Sequence, residues 1–138
     1  MILTKTTEYA VRVLTFMASQ DDRDLFSAKH LHEQLNIPYK YLTRLMTDLA
    51  KYGCLLSIRG RDGGFKITKS IKEISLAKII EAVEGMDSFN SCILGFHECS
   101  SDNPCAMHFV WEKNKAAFIK TLETTSLDDI NHMEVSRF

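Results

Sequence analysis

The sequence predicts a mainly α fold that carries one small β-hairpin. Three observations lead there. Apolar residues recur at helical spacing over most of the chain, the period changes to that of strands only around residues 55–68, and a glycine-rich run sits in the middle of that change. The 138 residues are one domain's worth of chain. A content of 45% hydrophobic and 25% charged residues excludes whole-chain disorder and collagen-like or low-complexity sequence.

Each element has its own warrant. Residues 4–19 read as a helix with Tyr9, Val13, Phe16 and Met17 on one face and Ala10 and Leu14 widening it; the polar run Gln20-Asp-Asp-Arg-Asp24 ends it. Ser27 is an N-cap candidate for a short helix that turns Ala28, Leu31 and Leu35 inward, and Asn36 stops it. Pro38 suits the first turn of a helix over 38–52. Its apolar residues Leu42, Leu45, Met46 and Leu49 stand at offsets 0, 3, 4 and 7, and Gly53 is the expected C-terminal cap. Leu55, Leu56 and Ile58, then Arg59-Gly-Arg-Asp-Gly-Gly64, then Phe65-Lys-Ile-Thr68 describe a hairpin around a glycine-rich turn. Ser75 caps a helix with Leu76, Ile79, Ile80 and Val83 inward, ended by Gly85. Residues 86–105 are irregular, and a loop of about 20 residues within a compact domain needs something to organise it. After Pro104 a long helix runs to about Thr124, with an apolar stripe of Met107, Val110/Trp111, Ala117/Phe118 and Leu122. Ser126-Leu-Asp-Asp129 fits a capping box for a last short helix.

A short helix, a tight turn, a second helix and a hairpin, in that order, describe a winged helix-turn-helix. There the second helix enters the major groove with its N-terminal side chains at base edges. The outer face of 38–52 presents Tyr39, Lys40, Thr43, Arg44 and Asp48, with Tyr41 at the border. Lys, Arg, Tyr and Thr at a helix start donate to phosphates and base edges. Arg59 and Arg61 sit at the hairpin tip, where an arginine can enter a minor groove. The alternative is a solvated face on an ordinary helical bundle; the hairpin at this position favours DNA. Charge agrees: residues 1–73 carry 12 Lys and Arg against 8 Asp and Glu, and residues 74–138 carry 5 against 10. A polyanion would meet the first half. The expected organisation is a DNA-binding domain over 1–85, a cysteine loop over 86–106, and a dimerisation helix with a C-terminal tail over 107–138. The long helix would pack on its copy in a second subunit, giving the two-fold symmetry that palindromic DNA requires; the alternative is that it folds back on its own domain.

Cys92, Cys99 and Cys105 fall within 14 residues in a C-x6-C-x5-C pattern, with His97 and His108 near. Three thiolates from one loop can hold an iron–sulfur cluster and leave one iron site for another ligand. Zinc would take three Cys and one His, but its close C-x2–4-C pairs are missing. Cysteines acting as small hydrophobes fit poorly beside Gly, Ser, Asp, Asn and Pro. Cys54 opens a strand among apolar neighbours and reads as buried and inert; His30 and His32 read as surface groups. No C-x-x-C, no nucleotide-binding glycine loop and no acid/base pair supports an enzyme or a cluster carrier. No stretch approaches about 18 apolar residues. The start Met1-Ile-Leu-Thr-Lys has no basic segment leading into an apolar core, so the expectation is a cytoplasmic protein without a secretory signal.

With these residues in view, the chain resembles the Rrf-two family of bacterial winged-helix transcriptional regulators, the family of the IscR- and NsrR-like iron–sulfur cluster regulators. The resemblance rests on Thr6-Thr-Glu-Tyr-Ala-Val-Arg12, on Ile37 to Leu45 with Tyr41-Leu42, and on Ser57-Ile-Arg-Gly-Arg-Asp-Gly-Gly-Phe65. Ser75-Leu-Ala-Lys-Ile-Ile-Glu-Ala-Val-Glu-Gly85 and the three-cysteine loop complete it. It implies a homodimer with crossed long helices. It implies DNA reading by Lys40, Tyr41, Thr43 and Arg44, with Arg59 in the wing, and operator binding switched by a cluster that senses redox state, nitric oxide or iron. Cys92, Cys99 and Cys105 would ligate that cluster, with [4Fe–4S] favoured over [2Fe–2S]. Glu8 of the partner subunit or His108 is the implied fourth ligand. One departure stands out: the first gap has six residues, where an equal five-residue gap is usual. A winged-helix regulator whose cysteine loop holds zinc or works by thiol oxidation is the alternative.

Overall fold

The computed structural model of the chain describes residues 3–68 and 70–132. Helix α1 (Lys5–Ser19) is capped by Thr4, whose side chain accepts from the Thr7 N–H. Helix α2 (Ala28–Leu35) is capped in the same way by Ser27, and Asn36 closes it in the left-handed conformation at φ 56°. Helix α3 (Tyr39–Lys51) follows at once. Pro38 stands at its N-cap, one position ahead of the expected first turn, and no side chain caps it. Strands β1 (Leu55–Ile58) and β2 (Gly64–Ile67) pair antiparallel in the register Leu55 with Ile67 and Ile58 with Gly64. A 3-10 turn (Ile71–Glu73), helix α4 (Leu76–Val83) capped by Ser75, and a second 3-10 turn (Asp87–Asn90) lead into the cysteine loop. Helix α5 (His108–Thr124) and helix α6 (Leu127–Asn131) end the described chain. The expected C-terminal tail beyond residue 132 lies outside the described residues.

This is a mainly helical winged helix-turn-helix with a two-stranded wing. One core holds it together. Leu42, Leu45, Met46 and Leu49 of α3 are all buried, and they meet Ala10, Val13, Leu14 and Met17 of α1, Leu31 and Leu35 of α2, and Ile79 of α4. Truncating any one of the fully buried leucines to Ala costs about 2–5 kcal/mol. Cys54 is wholly buried in the same core. The wing is tied down by a feature that the sequence reading missed. Phe26 bridges to Phe65, exchanging N–H···O bonds of 2.8 and 2.7 Å, so the segment before α2 acts as a third strand. Gly64 is required there, because a Cβ would stand 2.6 Å from the Phe26 carbonyl oxygen. Gly63 is required for the turn, since its Cβ would stand 2.0 Å from the Ile58 oxygen.

Helix α5 packs on its own chain along only part of its stripe. Of the stripe Met107, Val110/Trp111, Ala117/Phe118 and Leu122, Leu122 is buried and Trp111 is half-buried; Met107, Val110, Ala117 and Phe118 are exposed. Among the described residues, α5 rests on α4, on the turn around Phe89 and on Leu3. Those contacts make a second, small cluster of Ile80, Phe89 and Leu122. Helix α6 then returns to the first core through Leu127, and its Ser126–Asp129 capping box forms as expected. His30 and His32 are half-buried, not on the open surface. The His30 ring lies against Phe16 and Phe26, and His32 Nδ1 meets the Ile37 carbonyl. Among the described residues, no helix is long and apolar enough to cross a membrane.

Candidate thiol site and nucleic-acid interface

The cysteine loop folds through its own backbone. The Gly95 N–H bonds the Cys92 carbonyl, and Gly95 takes φ 83°, a conformation that glycine tolerates best. Ser100 and Asn103 exchange backbone bonds of 3.2 and 3.1 Å, and the Asn103 side chain donates to the Glu98 carbonyl. The His108 N–H bonds the Cys105 carbonyl where α5 begins. These turns bring together three sulfurs that lie 7 and 6 positions apart in sequence.

The sulfurs of Cys92, Cys99 and Cys105 all lie within 4.8 Å of one another, each on a half-buried residue. Cys92 and Cys105 are 3.6 Å apart, sulfur to sulfur, and form no disulfide. Cys99 receives the Cys105 N–H at 3.4 Å and stands 3.3 Å from His108 Nδ1. Burial works to raise the Cys92 pKa, but the backbone N–H groups of Phe96 and Leu94 and the neighbouring thiols outweigh it and bring the thiol down to about 7. For Cys99 the Cys105 N–H favours the thiolate, yet burial and the thiols of Cys105 and Cys92 together push the pKa up. Cys92 is therefore the thiol that ionises readily, while Cys99 resists a charge of its own.

The donor set of three soft thiols and one imidazole suits iron–sulfur chemistry or zinc. Of the two candidate fourth ligands, His108 is brought to the thiols by the first turn of α5. Glu8 lies instead on the first turn of α1, in an ion pair with Lys5 at 3.2 Å. His97 lines the mouth of the site with Phe96 and Glu98 and is exposed. Exposed apolar side chains also flank the cysteines in the chain: Leu94 is 52% exposed, Phe96 61% and Phe109 64%.

The second candidate surface is the start of α3 with the wing tip. Tyr39, Lys40, Tyr41 and Arg44 are exposed, and Thr43 is half-buried with its hydroxyl donating to the Lys40 carbonyl. Tyr39 packs edge-on against His32. Tyr41 is held more firmly than its place at the border of the face implies. Its hydroxyl bonds Thr6 and its ring meets Tyr9 edge-on at 5.5 Å. The first turn of α3 holds no acidic residue and no side-chain cap, so its backbone N–H groups are open to an anion. Arg59 and Arg61 are exposed beyond the ends of β1 and β2, with Gly60 between them at φ 113°.

Comparison with known proteins supplies the context. The sequence profile of the Rrf2 (Rrf-two) family, described as an iron-dependent transcriptional regulator, matches residues 3–133. The chain is 33% identical over 131 residues to the HTH-type transcriptional regulator NsrR of Oceanobacillus iheyensis, covering 94% of this chain and 89% of that one. Its fold superimposes on CymR (YrzC), the global cysteine regulator of B. subtilis, with a TM-score of 0.76 at 24% identity, over 95% of this chain and 96% of that one. It superimposes on T. potens IscR with a TM-score of 0.70 at 22% identity, over 99% and 94%. The two structural likenesses establish the winged fold, and the sequence relatives are transcriptional regulators. The chain belongs to the Rrf2 family of iron-dependent transcriptional regulators.

Proposed function

We propose that this regulator is a homodimer whose affinity for a palindromic operator is set by an iron–sulfur cluster held on Cys92, Cys99 and Cys105. The observation that carries the reading is the convergence of the three sulfurs to within 4.8 Å of one another on a loop closed by its own turns. His108 offers the fourth donor from within the chain; Glu8 would do so only from a second subunit. The NsrR relative and the family description favour iron over zinc. When bound, the cluster supplies a centre reactive toward oxidants and nitric oxide, with [4Fe–4S] favoured.

The residues then divide by task. Residues 1–85 read DNA, through Tyr39, Lys40, Tyr41, Thr43 and Arg44 on α3 and Arg59 and Arg61 on the wing. Residues 86–106 hold the cluster. Residues 107–138 make the dimer, in which a second copy covers the apolar side that α5 leaves exposed at Phe109, Val110 and Phe118. Iron and acid-labile sulfide, counted per chain after anaerobic purification, test the cofactor: about four of each support [4Fe–4S], about two of each [2Fe–2S]. Operator affinity of the loaded and cluster-free forms, in matched salt, tests the switch; equal affinities would remove it.

One observation favours a second reading: Cys92 and Cys105 are 3.6 Å apart, sulfur to sulfur. In that reading a peroxide accepts two electrons, the two thiol protons leave in water, and a Cys92–Cys105 disulfide forms. A protein that stays free of iron after anaerobic reconstitution, and gains this disulfide under peroxide, would favour it.

A further inference from the structure

Helix α1 begins against the end of α4. Thr4 and Thr7, at the start of α1, both donate their hydroxyls to the same carboxylate oxygen of Glu84, Thr7 at 2.8 Å. Thr7 is fully buried, so the carboxylate replaces water as its partner. A carboxylate at this end of α1 is also favoured by the helix dipole. Glu84 is itself fixed. It is the C-cap of α4, its N–H bonds the Ile80 carbonyl, and Gly85 follows in the left-handed conformation at φ 78°.

From the same turn of α1, Thr6 reaches the other way and bonds the Tyr41 hydroxyl on α3, while Tyr9 packs on the Tyr41 ring. A cavity of about 250 Å³ lies beside this contact, lined by Thr6, Tyr41, Arg44, Asp48 and Val83. On its far side, Glu84 is eight positions ahead of Cys92. Phe89 lies between them, fully buried with Ile80 and Leu122.

We infer that Glu84 is a positioning residue for DNA reading: through the first turn of α1 it sets where Tyr41 and the start of α3 stand, and so couples α3 to the end of α4 from which the cysteine loop departs. The inference rests on α3 being the DNA-reading helix. It gives Glu84 a role that touches neither DNA nor the thiols.

The test is a mutant cycle in the full-length protein, in whichever cluster state binds more tightly to an operator selected from random DNA by the wild type. Operator and non-specific DNA of equal length are titrated at one salt concentration with Glu84→Ala, Glu84→Gln, Thr6→Val and the Glu84→Ala/Thr6→Val double variant. Glu84→Ala and Thr6→Val should each weaken operator binding by about 3- to 10-fold while non-specific binding changes by less than about 2-fold. The double variant should be no weaker than the weaker-binding single, since both cut one connection. Glu84→Gln keeps an oxygen acceptor and should retain most of the affinity. If Glu84→Ala fails to fold, Thr7→Val, which removes a hydroxyl from the same carboxylate, takes its place in the cycle and is held to the same outcomes. Additive losses, equal losses on both DNAs, or no loss would overturn the inference. A merely structural role would lower thermal stability and weaken both DNAs alike. Failure of the underlying reading looks different: Arg44→Ala with unaltered operator affinity would remove α3 as the reader, and the inference with it.

Discussion

The core beneath α3 draws side chains from five helices and the wing, whereas the cysteine loop and α5 rest on a cluster whose buried members are Ile80, Phe89 and Leu122. The first region is shaped by apolar burial, which alone specifies a winged helix. In the second, backbone turns arrange three sulfurs, and an apolar helix face stays uncovered. A region built like the second is set by what binds it. That division suits a regulator, because the part proposed to meet DNA stays folded whatever the state of the part proposed to sense.

Four expectations would break or sharpen this contrast. The largest effect belongs to the first core. Leu49→Ala should destabilise the protein by about 2–5 kcal/mol in denaturant unfolding. Phe89→Ala should cost less than the roughly 3–5 kcal/mol typical of a buried phenylalanine, because the thin cluster around it can relax; hydrogen exchange should quicken over residues 86–124 and stay slow in α3. A larger global loss from Phe89→Ala than from Leu49→Ala would reverse the contrast. Next come the arginines proposed to read DNA: Arg44→Ala or Arg59→Ala should weaken operator binding by about 1–3 kcal/mol with the melting temperature nearly unchanged. Smaller again is the cap of α6, where Ser126→Ala should cost about 1 kcal/mol of stability.

The smallest effect is a pH dependence. The Ser126 N–H, then the Ser126 side chain, hold the Asp129 carboxyl below its ordinary range against a smaller opposing effect of burial. A depressed folded pKa means that the contribution is present above the unfolded value, about 3.9 for Asp, and is lost as pH falls through the folded one. The stability gap between wild type and Asp129→Asn should therefore be full above about pH 5 and shrink steadily in acid. A gap that widens in acid would show that the capping box is not what lowers this pKa.

Much of the winged half is legible in the sequence, for a physical reason. Leu42, Leu45, Met46 and Leu49 recur with the helix period, and Ser27, Ser75 and Ser126 all cap the helices they precede. Such signals are local. The cysteine spacing is local too, and it points to three thiols that the fold does bring together. What stayed hidden depends on contacts distant in sequence. The pairing of Phe26 with Phe65 leaves no periodic mark in a segment so short. Glu84 carries no signal in the sequence beyond its place at a helix end, and only the fold brings Thr4 and Thr7 to it from nearly eighty positions away. The stripe on α5 reads as a buried face, but periodicity cannot say which molecule would bury it.

The short bridge between Ser75 and Ser126 has a consequence of its own. The Leu76 N–H bonds the Thr125 carbonyl and the Leu127 N–H bonds the Ile74 carbonyl, so the chain leaves the winged core and rejoins it at one spot. Beyond α4, whose Ile79 and Ala82 stay in that core, residues 85–124 form a strap held at both ends. The entropy of closing such a strap grows only with the logarithm of its length, about 0.6 kcal/mol for a full doubling. One more residue between Cys92 and Cys99 thus adds almost nothing to that cost. The strap can be lengthened, shortened or re-spaced to suit a different signal, while the bridge and the scaffold beneath it stay as they are.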